Sequence, residues 1–300
     1  MQFSLLAEPE VIDVQPERRE GTRPPKGQLL KWIGNKQKFA RQITAYFPSA
    51  MRTYYEPFLG SGAILATVAP KSGVGSDTFL PLVDIWKKLS SDPNGLIEWY
   101  AERRSLLSSM SKEEAYAIVR ANYNQHPNGA DFLFLTRTCY GGVVRFRKAD
   151  GFMSTPCGAH TPISIESFSS RVWEWYARMK KSSFEHLDYR EAFQNVRRGD
   201  FIYCDPPYSH SQTILYGAQQ FRLAELFEAI DRAKAKGARV ALSIDGNKKS
   251  GSVHCAIDPP KGLFEQEVFI DCGRSMLKRF QMEGGTLEEE VVCDRLLLTY

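Results

Sequence analysis

The sequence predicts an α/β fold in which a parallel sheet is interrupted by an inserted, mostly helical module. Near its start the chain alternates short apolar runs with helical segments, as α/β folds do. The alternation stops from about Asp92 to Trp175, where polar helical segments precede a passage rich in Gly and Arg, and it then returns. A chain of 300 residues is long enough for one large domain that carries such an insertion.

The elements before the insertion follow the order of a βαβ unit. A helix with basic residues on one face is predicted after the glycine of KWIGNKQKFARQITAYF. A strand, a glycine loop and a helix are predicted in RTYYEPFLGSGAILATVA. A short strand that ends in Ser76-Asp77, followed by another helix, is predicted in VGSDTFLPLVDIWKKLSS.

The elements after the insertion resume the same alternation. They begin with SSFEHLDYREAF and continue with the strand DFIYC, a helix around RLAELFEAIDRAKAKG and the strand ARVALSID. The tail EEEVVCDRLLLTY is predicted to be a hairpin arm or a closing strand. We therefore expect a flexible N-terminal arm (1–27), a sheet domain (28–91 and 180–300) and an inserted module (92–179).

Composition and residue spacing exclude several classes of protein. The net charge of +4 and the pI near 8.6 permit a polyanionic partner without requiring one. No apolar run is long enough to cross a bilayer, and the N-terminus does not have the pattern of a signal peptide. The six cysteines lack a C-x-x-C pair and the five histidines lack ligand spacing. We therefore expect reduced thiols, no structural metal and a cytoplasmic location.

The strand FIYC ends in Asp205-Pro206-Pro207-Tyr208. Two consecutive prolines stop the strand and remove two backbone donors, so only acceptors remain: the carboxylate and the bare carbonyls. A rigid set of acceptors suits a ligand that brings N–H groups. The alternative is a plain turn at the end of a strand.

The glycine loop in EPFLGSGAI favours a nucleoside with a cationic tail. Gly60 and Gly62 allow a ligand close to the backbone, whereas Leu65 breaks the dinucleotide pattern and no phosphate-loop G-K-[ST] follows. Glu56 would repel a phosphate, and Asp77 stands where such folds bind ribose hydroxyls. S-adenosylmethionine fits these features; a tight turn between strand and helix is the alternative.

The ordered set LLKWIGNK, YYEPFLGSG, the acid of GSD, FLFLTRTCYGGVVRF and YCDPPY resembles the Dam-type, class α adenine-N6-specific DNA methyltransferases. The resemblance extends from about Leu29 to Tyr300. It implies a Rossmann-like S-adenosylmethionine-dependent methyltransferase sheet with an inserted, mostly helical target-recognition module. It also implies a site-specific enzyme that acts as a monomer on double-stranded DNA.

The resemblance further implies roles for individual residues. The residues that would bind S-adenosylmethionine are Trp32, Lys36, Glu56, Pro57, Phe58, Gly60, Gly62, Asp77, Asp188 and Asp205. The catalytic residues would be Asp205, Pro206, Pro207 and Tyr208. In this arrangement Asp205 and the Pro206 carbonyl accept the two N–H groups of adenine N6, and Tyr208 stacks on the flipped-out base.

The implied DNA contacts lie mainly in the Gly- and Arg-rich passage, which is expected to be a target-recognition hairpin. The predicted DNA-binding residues are Arg137, Tyr140, Gly141, Arg145, Arg147, Lys148, Lys278 and Arg279. Gly141 stands where many relatives have Asn, so the recognised sequence is not carried over. Ordinary solvent-exposed charge is the alternative for each basic residue.

Three alternatives remain open at this stage. The acceptor is adenine N6 in DNA, cytosine N4, or adenine in RNA, since all use the same amine chemistry. A non-catalytic DNA-binding protein of the same fold is the rival from another class. An enzyme of this kind works alone or beside a cognate restriction endonuclease.

Overall fold

A computed structural model of the chain describes residues 23–207, 221–248, 259–271 and 292–300. The strands of this part of the chain are β1 Tyr54–Glu56, β2 Gly73–Asp77, β3 Ser182–His186, β4 Phe201–Cys204, β5 Arg239–Lys248, β6 Gln266–Asp271 and β7 Val292–Leu298. The α-helices are α1 Ala40–Thr44, α2 Ala63–Val68, α3 Leu80–Ser91, α4 Pro93–Ser105, α5 Lys112–Gln125, α6 Gly129–Thr138, α7 Ile165–Met179, α8 Tyr189–Gln194 and α9 Leu223–Ala235.

The strands form one seven-stranded sheet in the order β3-β2-β1-β4-β5-β7-β6. Strands β1 to β5 run parallel to one another, and β7 is antiparallel to both β5 and β6. This arrangement confirms the predicted α/β fold, and the tail is the predicted closing strand. The order reverses between β1 and β4, and open α/β sheets bind ligands at the carboxyl ends of strands at such a reversal.

Strand β4 lies in the middle of the sheet and is buried along its whole length. Its side chains alternate between two apolar cores. Phe201 and Tyr203 belong to one core, whereas Ile202 and Cys204 belong to the other. A strand that is covered on both faces needs apolar residues at consecutive positions, which explains why the sequence FIYC has no polar residue. Asp205 follows this rigid strand directly and is therefore held in a fixed position.

The long connection from β2 to β3 contains α3 to α7. Asp92 caps the start of α4, Ser111 and Glu114 form a capping box on α5, and Ser164 caps α7. These caps explain why the polar helical segments begin where they do. No α-helix in the described ranges is long and apolar enough to cross a membrane.

The last helix of this connection packs against the sheet. Trp175 of α7 stacks on Trp86 of α3 with ring centroids 5.6 Å apart, and Trp86 also contacts Phe184 of β3. The predicted module therefore ends in a helix that shares the core of the sheet. Its division from the sheet domain at residues 92 and 179 stays a prediction.

Part of the predicted N-terminal arm is packed. The amide of Lys26 donates to Glu174 at 3.0 Å, and the indole of Trp175 donates to the Gly27 carbonyl at 2.8 Å. Residues 1–22 of the arm lie outside the described residues, as do the predicted site residues Tyr208, Lys278 and Arg279.

Candidate active site

A cavity of about 260 Å³ lies at the carboxyl ends of β1, β2 and β4. The motifs of the sequence meet here because the strands that precede them are parallel neighbours. Nine of the ten residues predicted to bind the cofactor line it: Trp32, Lys36, Glu56, Pro57, Phe58, Gly60, Asp77, Asp188 and Asp205. Pro207 lines it as well, whereas Pro206 is buried.

The tenth residue, Gly62, lies where the glycine loop packs against two helices. Its φ of 62° lies in the left-handed region, where a side chain is strained. A Cβ at this position would lie 3.1 Å from Met179 and 3.3 Å from Trp86. Gly62 is therefore needed for close packing of the loop onto α3 and α7, and a direct cofactor contact stays a prediction.

Both backbone polar groups of Gly60, its amide and its carbonyl, are hydrogen-bonded to side chains. Its amide donates to Asp77 at 3.0 Å, and its carbonyl accepts from the indole of Trp86 at 3.1 Å. Its φ is 47°, and a Cβ would lie 3.0 Å from the Trp32 indole nitrogen. The loop thus keeps a fixed shape, and the space that a side chain would fill is left for Trp32.

Asp205 takes part in a buried charge cluster at the floor of the cavity. The ammonium of Lys36 lies 3.3 Å from Asp205 and 2.7 Å from Asp294 of β7. Burial alone would lower the pKa of Lys36, but the two carboxylates together raise it above its usual range. The lysine is therefore charged, and a positive charge at this distance favours the acceptor-only carboxylate form of Asp205.

Glu56 is the second buried acid of the site. The hydroxyl of Tyr54 donates to its carboxyl group at 2.6 Å. Burial raises the pKa of Glu56 to about 8; the Tyr54 hydrogen bond opposes this shift and the charge of Asp205 adds to it. Glu56 thus carries a proton at neutral pH unless a positive charge enters the cavity, where it would favour the carboxylate.

Aromatic side chains form the opposite wall. Phe58 stacks on Tyr189 with centroids 5.2 Å apart and meets Phe221 edge to face at 5.8 Å. Asp188 caps α8 by accepting from the amide of Arg190, so its carboxylate is fixed at the rim beside Tyr189. A flat ring bound here would have the aromatic side chains against one of its faces and the Asp188 carboxylate near its edge.

These features fit S-adenosylmethionine. Acidic side chains outnumber basic ones in the cavity lining: Glu56, Asp77, Asp188 and Asp205 against Lys36 and Arg190. Both basic groups are paired with carboxylates, Lys36 with Asp205 and Arg190 with Glu225, which agrees with a cationic, phosphate-free nucleoside. Burial raises the pKa of Asp77, although the amides of Gly60 and Phe79 oppose this shift, so its carboxyl oxygens are oriented acceptors for hydroxyl groups. In the ranges that the structure covers, no group of three or more His, Cys, Asp and Glu is arranged to hold a metal ion.

Comparison with known proteins identifies the family. Residues 32–254 match the D12 class N6 adenine-specific DNA methyltransferases, which is more than half of the chain. The chain belongs to this family. It is 26% identical to the DNA adenine methylase of Vibrio cholerae over 228 residues, which cover 72% of this chain and 80% of that protein. It is 28% identical to the type II methyltransferase M.MjaIII of Methanocaldococcus jannaschii over 250 residues, 72% and 83% of the two chains.

Similarity to solved structures is much lower. The rRNA methyltransferase aviRa from Streptomyces viridochromogenes aligns over 86% of this chain and 83% of its own, with a TM-score of 0.30 and 11% sequence identity. The Rossmann-like methyltransferase fold of this D12 family member is therefore assigned from its sheet order and its family match.

The predicted recognition hairpin is an irregular loop closed by two isolated antiparallel bridges, Cys139 to Cys157 and Phe146 to Met153. Gly141 and Gly142 both have positive φ, and a Cβ on Gly142 would lie 2.7 Å from Lys31. The Asn that the family resemblance predicts at position 141 would tolerate the same φ better than most residues, so a Gly here changes the chemistry more than the backbone shape.

The exposed side of this hairpin carries the predicted DNA contacts. Tyr140 is half exposed, and Arg145 and Lys148 are exposed. The side chain of Arg145 makes no hydrogen bond or ion pair with the described part of the chain. Arg147, in contrast, pairs with Asp150 at 2.6 Å and lies over the ring of Phe152. Of the three arginines predicted to contact DNA in this passage, Arg145 is the one without a hydrogen bond or ion pair to the described part of the chain.

Arg137 does not share this surface. It points into the protein, where its guanidinium donates to the carbonyls of Gln28 and Leu29 at 3.0 and 2.7 Å and lies over Phe168. Burial lowers the pKa of Arg137 to about 10. We expected a DNA contact from the basic character of the passage. The geometry instead favours a structural role in holding the segment before Trp32.

Some residues of the site were not predicted from the sequence. Tyr189, Phe221 and Phe79 line the cavity, and Asp294 completes the charge cluster. Tyr189 follows Asp188 directly in LDY and could have been included for that reason. Asp294 had no sequence signal, because its partner Lys36 is 258 residues away.

Proposed function

We propose that this D12 methyltransferase is a site-specific enzyme that transfers a methyl group from S-adenosylmethionine to adenine N6 in double-stranded DNA, with Asp205 as the catalytic residue. The proposal is carried by the position of Asp205. Its side chain follows the central strand β4, lines the cavity, and lies 3.3 Å from the buried ammonium of Lys36.

The substrate amine is a poor nucleophile because its lone pair is delocalised into the ring. Asp205 and the Pro206 carbonyl would accept its two N–H groups and so orient the lone pair away from conjugation. The same acceptors stabilise the positive charge that develops on nitrogen during attack. Pro206 and Pro207 fix the backbone at this point, so the acceptors need little reorganisation.

When bound, S-adenosylmethionine supplies an electrophilic methyl group on a sulfonium centre. Trp32, the loop from Glu56 to Gly60 and Asp77 would hold it, with the carboxylate of Glu56 complementing the positive charge. The stacked rings of Phe58 and Tyr189 would exclude water from one side of its base. No covalent bond to the protein is required.

The target base must leave the duplex for its amino group to reach Asp205 in this cavity. Tyr208 is proposed as its stacking partner and Tyr140 as a wedge in the vacated stack. Arg145 would read a base edge, while Arg147, Lys148, Lys278 and Arg279 would contact phosphates. The target sequence depends on these side-chain geometries in the complex.

A transfer assay tests the proposal. The purified protein is incubated with S-adenosylmethionine labelled in the methyl group and with unmethylated DNA, in parallel with the Asp205→Ala variant. We expect label in DNA with the wild type and none with the variant, while the two proteins bind DNA with similar affinity. Appreciable turnover by Asp205→Ala would contradict the role of Asp205.

Two rival functions give other results in the same assay. Label transferred to RNA but not to DNA would indicate an RNA methyltransferase. Failure of the wild type to bind S-adenosylmethionine in calorimetry, together with DNA binding, would indicate a non-catalytic DNA-binding protein.

The proposal also implies where the protein acts and which partners it has. Its substrate is cytoplasmic DNA, and one protomer carries all the residues named above, so a monomer suffices. A cognate restriction endonuclease is a candidate partner, because one relative is named a type II methyltransferase and another a modification methylase. A solitary enzyme is the alternative.

A further inference from the structure

We propose that the edge of the sheet opposite the active site binds the phosphates of a second segment of duplex DNA. This site goes beyond the proposed function, in which the target DNA lies at the carboxyl ends of the strands. The proposal is carried by the charge of the segments that lead into strands β1 to β5.

The first residues of these five strands lie side by side. Tyr54 of β1 pairs with Gly73 of β2 and with Phe201 of β4. Gly73 pairs in turn with Ser182 of β3, and Phe201 pairs with Arg239 of β5. Neighbouring strands are about 4.8 Å apart, so this row is about 19 Å wide. That width equals the length of about six base pairs of duplex DNA.

The segments that end at this row are strongly basic. We call them the amino edge, which consists of residues 50–54, 69–73, 180–182, 197–201 and 236–239. Its basic residues are all exposed: Arg52, Lys71, Lys180, Lys181, Arg197, Arg198, Lys236 and Arg239. Its single acid, Asp200, is buried and pairs with Arg52 at 2.6 Å. The exposed charge of the amino edge is therefore of one sign, whereas the net charge of the whole chain is only +4.

The positive charges of the amino edge are poorly neutralised by the described part of the chain. Lys236 donates to a backbone carbonyl, and the guanidinium of Arg239 lies over the ring of Tyr300. The other side chains besides Arg52 make no hydrogen bond or ion pair with the described residues: Lys71, Lys180, Lys181, Arg197 and Arg198. A polyanion bound here would relieve the repulsion between these charges and release its own counterions.

Part of the amino edge is recessed. Arg198, Lys236 and Arg239 line a cavity of about 500 Å³ at the start of β4 and β5. Asp200 lines it too, with one carboxylate oxygen bonded to Arg52, so the lining is positive on balance. Guanidinium groups bind two phosphate oxygens at once, and an ammonium adds a point charge. This cavity is therefore suited to one phosphate group of a nucleic-acid backbone.

The surface fits DNA better than a protein or a membrane. Protein interfaces have an apolar centre, and membrane-bound surfaces insert apolar side chains. The exposed large hydrophobic residues of the described part of the chain all lie outside the amino edge: Leu80, Ile118, Tyr140, Trp173 and Phe269. Duplex phosphates require no apolar contact, and DNA is the substrate of the D12 family.

The geometry requires a second segment of DNA. The five residues of β2 separate the amino edge from the carboxyl ends of the strands by about 17 Å. Duplex DNA is stiff over about 150 base pairs, so the segment that presents its base to Asp205 cannot also follow the opposite edge. The amino edge would therefore hold another molecule, or a distant part of the same long DNA.

A capture experiment tests this site. Unmethylated plasmid DNA fixed to beads is saturated with the protein, washed, and mixed with a short fluorescent duplex. The edge variant combines Lys71→Ala, Lys181→Ala and Arg198→Ala. We expect the wild type to capture the duplex and the edge variant to bind it at least about tenfold more weakly at low salt, because three phosphate contacts are lost.

A control variant separates the amino edge from net charge. It combines Arg41→Ala, Lys87→Ala and Lys261→Ala, which removes the same charges from exposed residues outside the amino edge. This variant should capture the duplex as the wild type does. All three proteins should transfer labelled methyl groups to short unmethylated fragments at equal rates and unfold at similar temperatures. If the edge variant is unstable, Lys181→Ala with Arg198→Ala replaces it.

The outcomes are distinct. Equal capture by the edge variant and the wild type, or no capture by the wild type, overturns the proposal. An equal loss in the control variant overturns it as well, because the effect would then follow net charge alone. Binding of the wild type to vesicles of anionic phospholipid without capture of the duplex would assign the amino edge to a membrane surface instead. A wild type that captures the duplex but transfers no methyl group overturns the proposed function and leaves the amino edge as a DNA-binding site.

Discussion

The backbone amide of Gly60 donates to the carboxylate of Asp77 at 3.0 Å, which joins the loop after β1 to the end of β2. The indole of Trp86 completes this connection by donating to the Gly60 carbonyl. Gly60 and Asp77, which are both predicted to bind the cofactor, are therefore fixed relative to each other.

Gly60→Ala should weaken cofactor binding. The new methyl group would lie 3.0 Å from the Trp32 indole, and the φ of 47° is strained for alanine by about 1–2 kcal/mol. We expect the affinity for S-adenosylmethionine, measured by calorimetry, to fall by about tenfold or more. Gly151→Ala is a matched control, because its φ is also positive but no atom lies within 4 Å of the new methyl group. Equal effects of the two substitutions would contradict the role of Gly60.

Glu56→Gln should change how stability depends on pH. The pKa of Glu56 is about 8 in the folded protein, compared with an ordinary value of 4.5 in the unfolded chain. The folded state therefore holds an extra proton between these values, and the free energy of unfolding falls as pH rises across that window. The variant should remove a dependence of up to about 1.4 kcal/mol per pH unit.

Denaturant unfolding at several pH values from 4.5 to 8 measures this effect. Glu56→Gln should be more stable than the wild type at pH 8, and the difference should shrink toward pH 4.5. The exposed Glu267→Gln should follow the wild type. A constant difference between Glu56→Gln and the wild type would show that Glu56 is ionised throughout.

Arg145→Ala should weaken and relax DNA recognition. The exposed arginine, if it contacts a base edge, contributes about 1–3 kcal/mol to discrimination. Lys148→Ala should instead lower affinity for all sequences and reduce the salt dependence of binding, as the loss of a phosphate contact does. Binding titrations on target and non-target duplexes at several salt concentrations separate the two. Unchanged affinity and sequence preference in Arg145→Ala would exclude base reading by this residue.

Arg137→Met should destabilise the protein without a direct effect on DNA affinity. The substitution keeps most of the packing but leaves the carbonyls of Gln28 and Leu29 without this donor, which costs about 1–3 kcal/mol. Chemical denaturation measures the loss, and a DNA titration below the unfolding transition measures binding. A stable variant with reduced DNA affinity would restore Arg137 to the predicted recognition surface.

The sequence predicted the site better than its surroundings. Trp32, the glycine loop, Asp77 and Asp205 could be brought together because three of these four features follow neighbouring parallel strands, whose carboxyl ends meet at one edge. The resemblance to a known family supplied their roles. The positions of the loops could be predicted because prolines and glycines end strands and helices.

Other features depended on tertiary packing. Helix α6 is buried on nearly all sides, so its sequence has little amphipathic signal to show that Arg137 points inward. The contact between Lys36 and Asp294 requires β7 to insert antiparallel between β5 and β6, and no local pattern in the tail specifies that position. The aromatic wall of Phe58, Tyr189 and Phe221 likewise joins three separate segments.

The most direct test of the account identifies the modified base. DNA from a methylation-free host that expresses the protein is digested to nucleosides and analysed by mass spectrometry, with the Asp205→Ala protein as control. We predict N6-methyladenine in the wild-type sample and none in the control. N4-methylcytosine in place of N6-methyladenine, or no modified base with a folded and expressed wild type, would contradict the account.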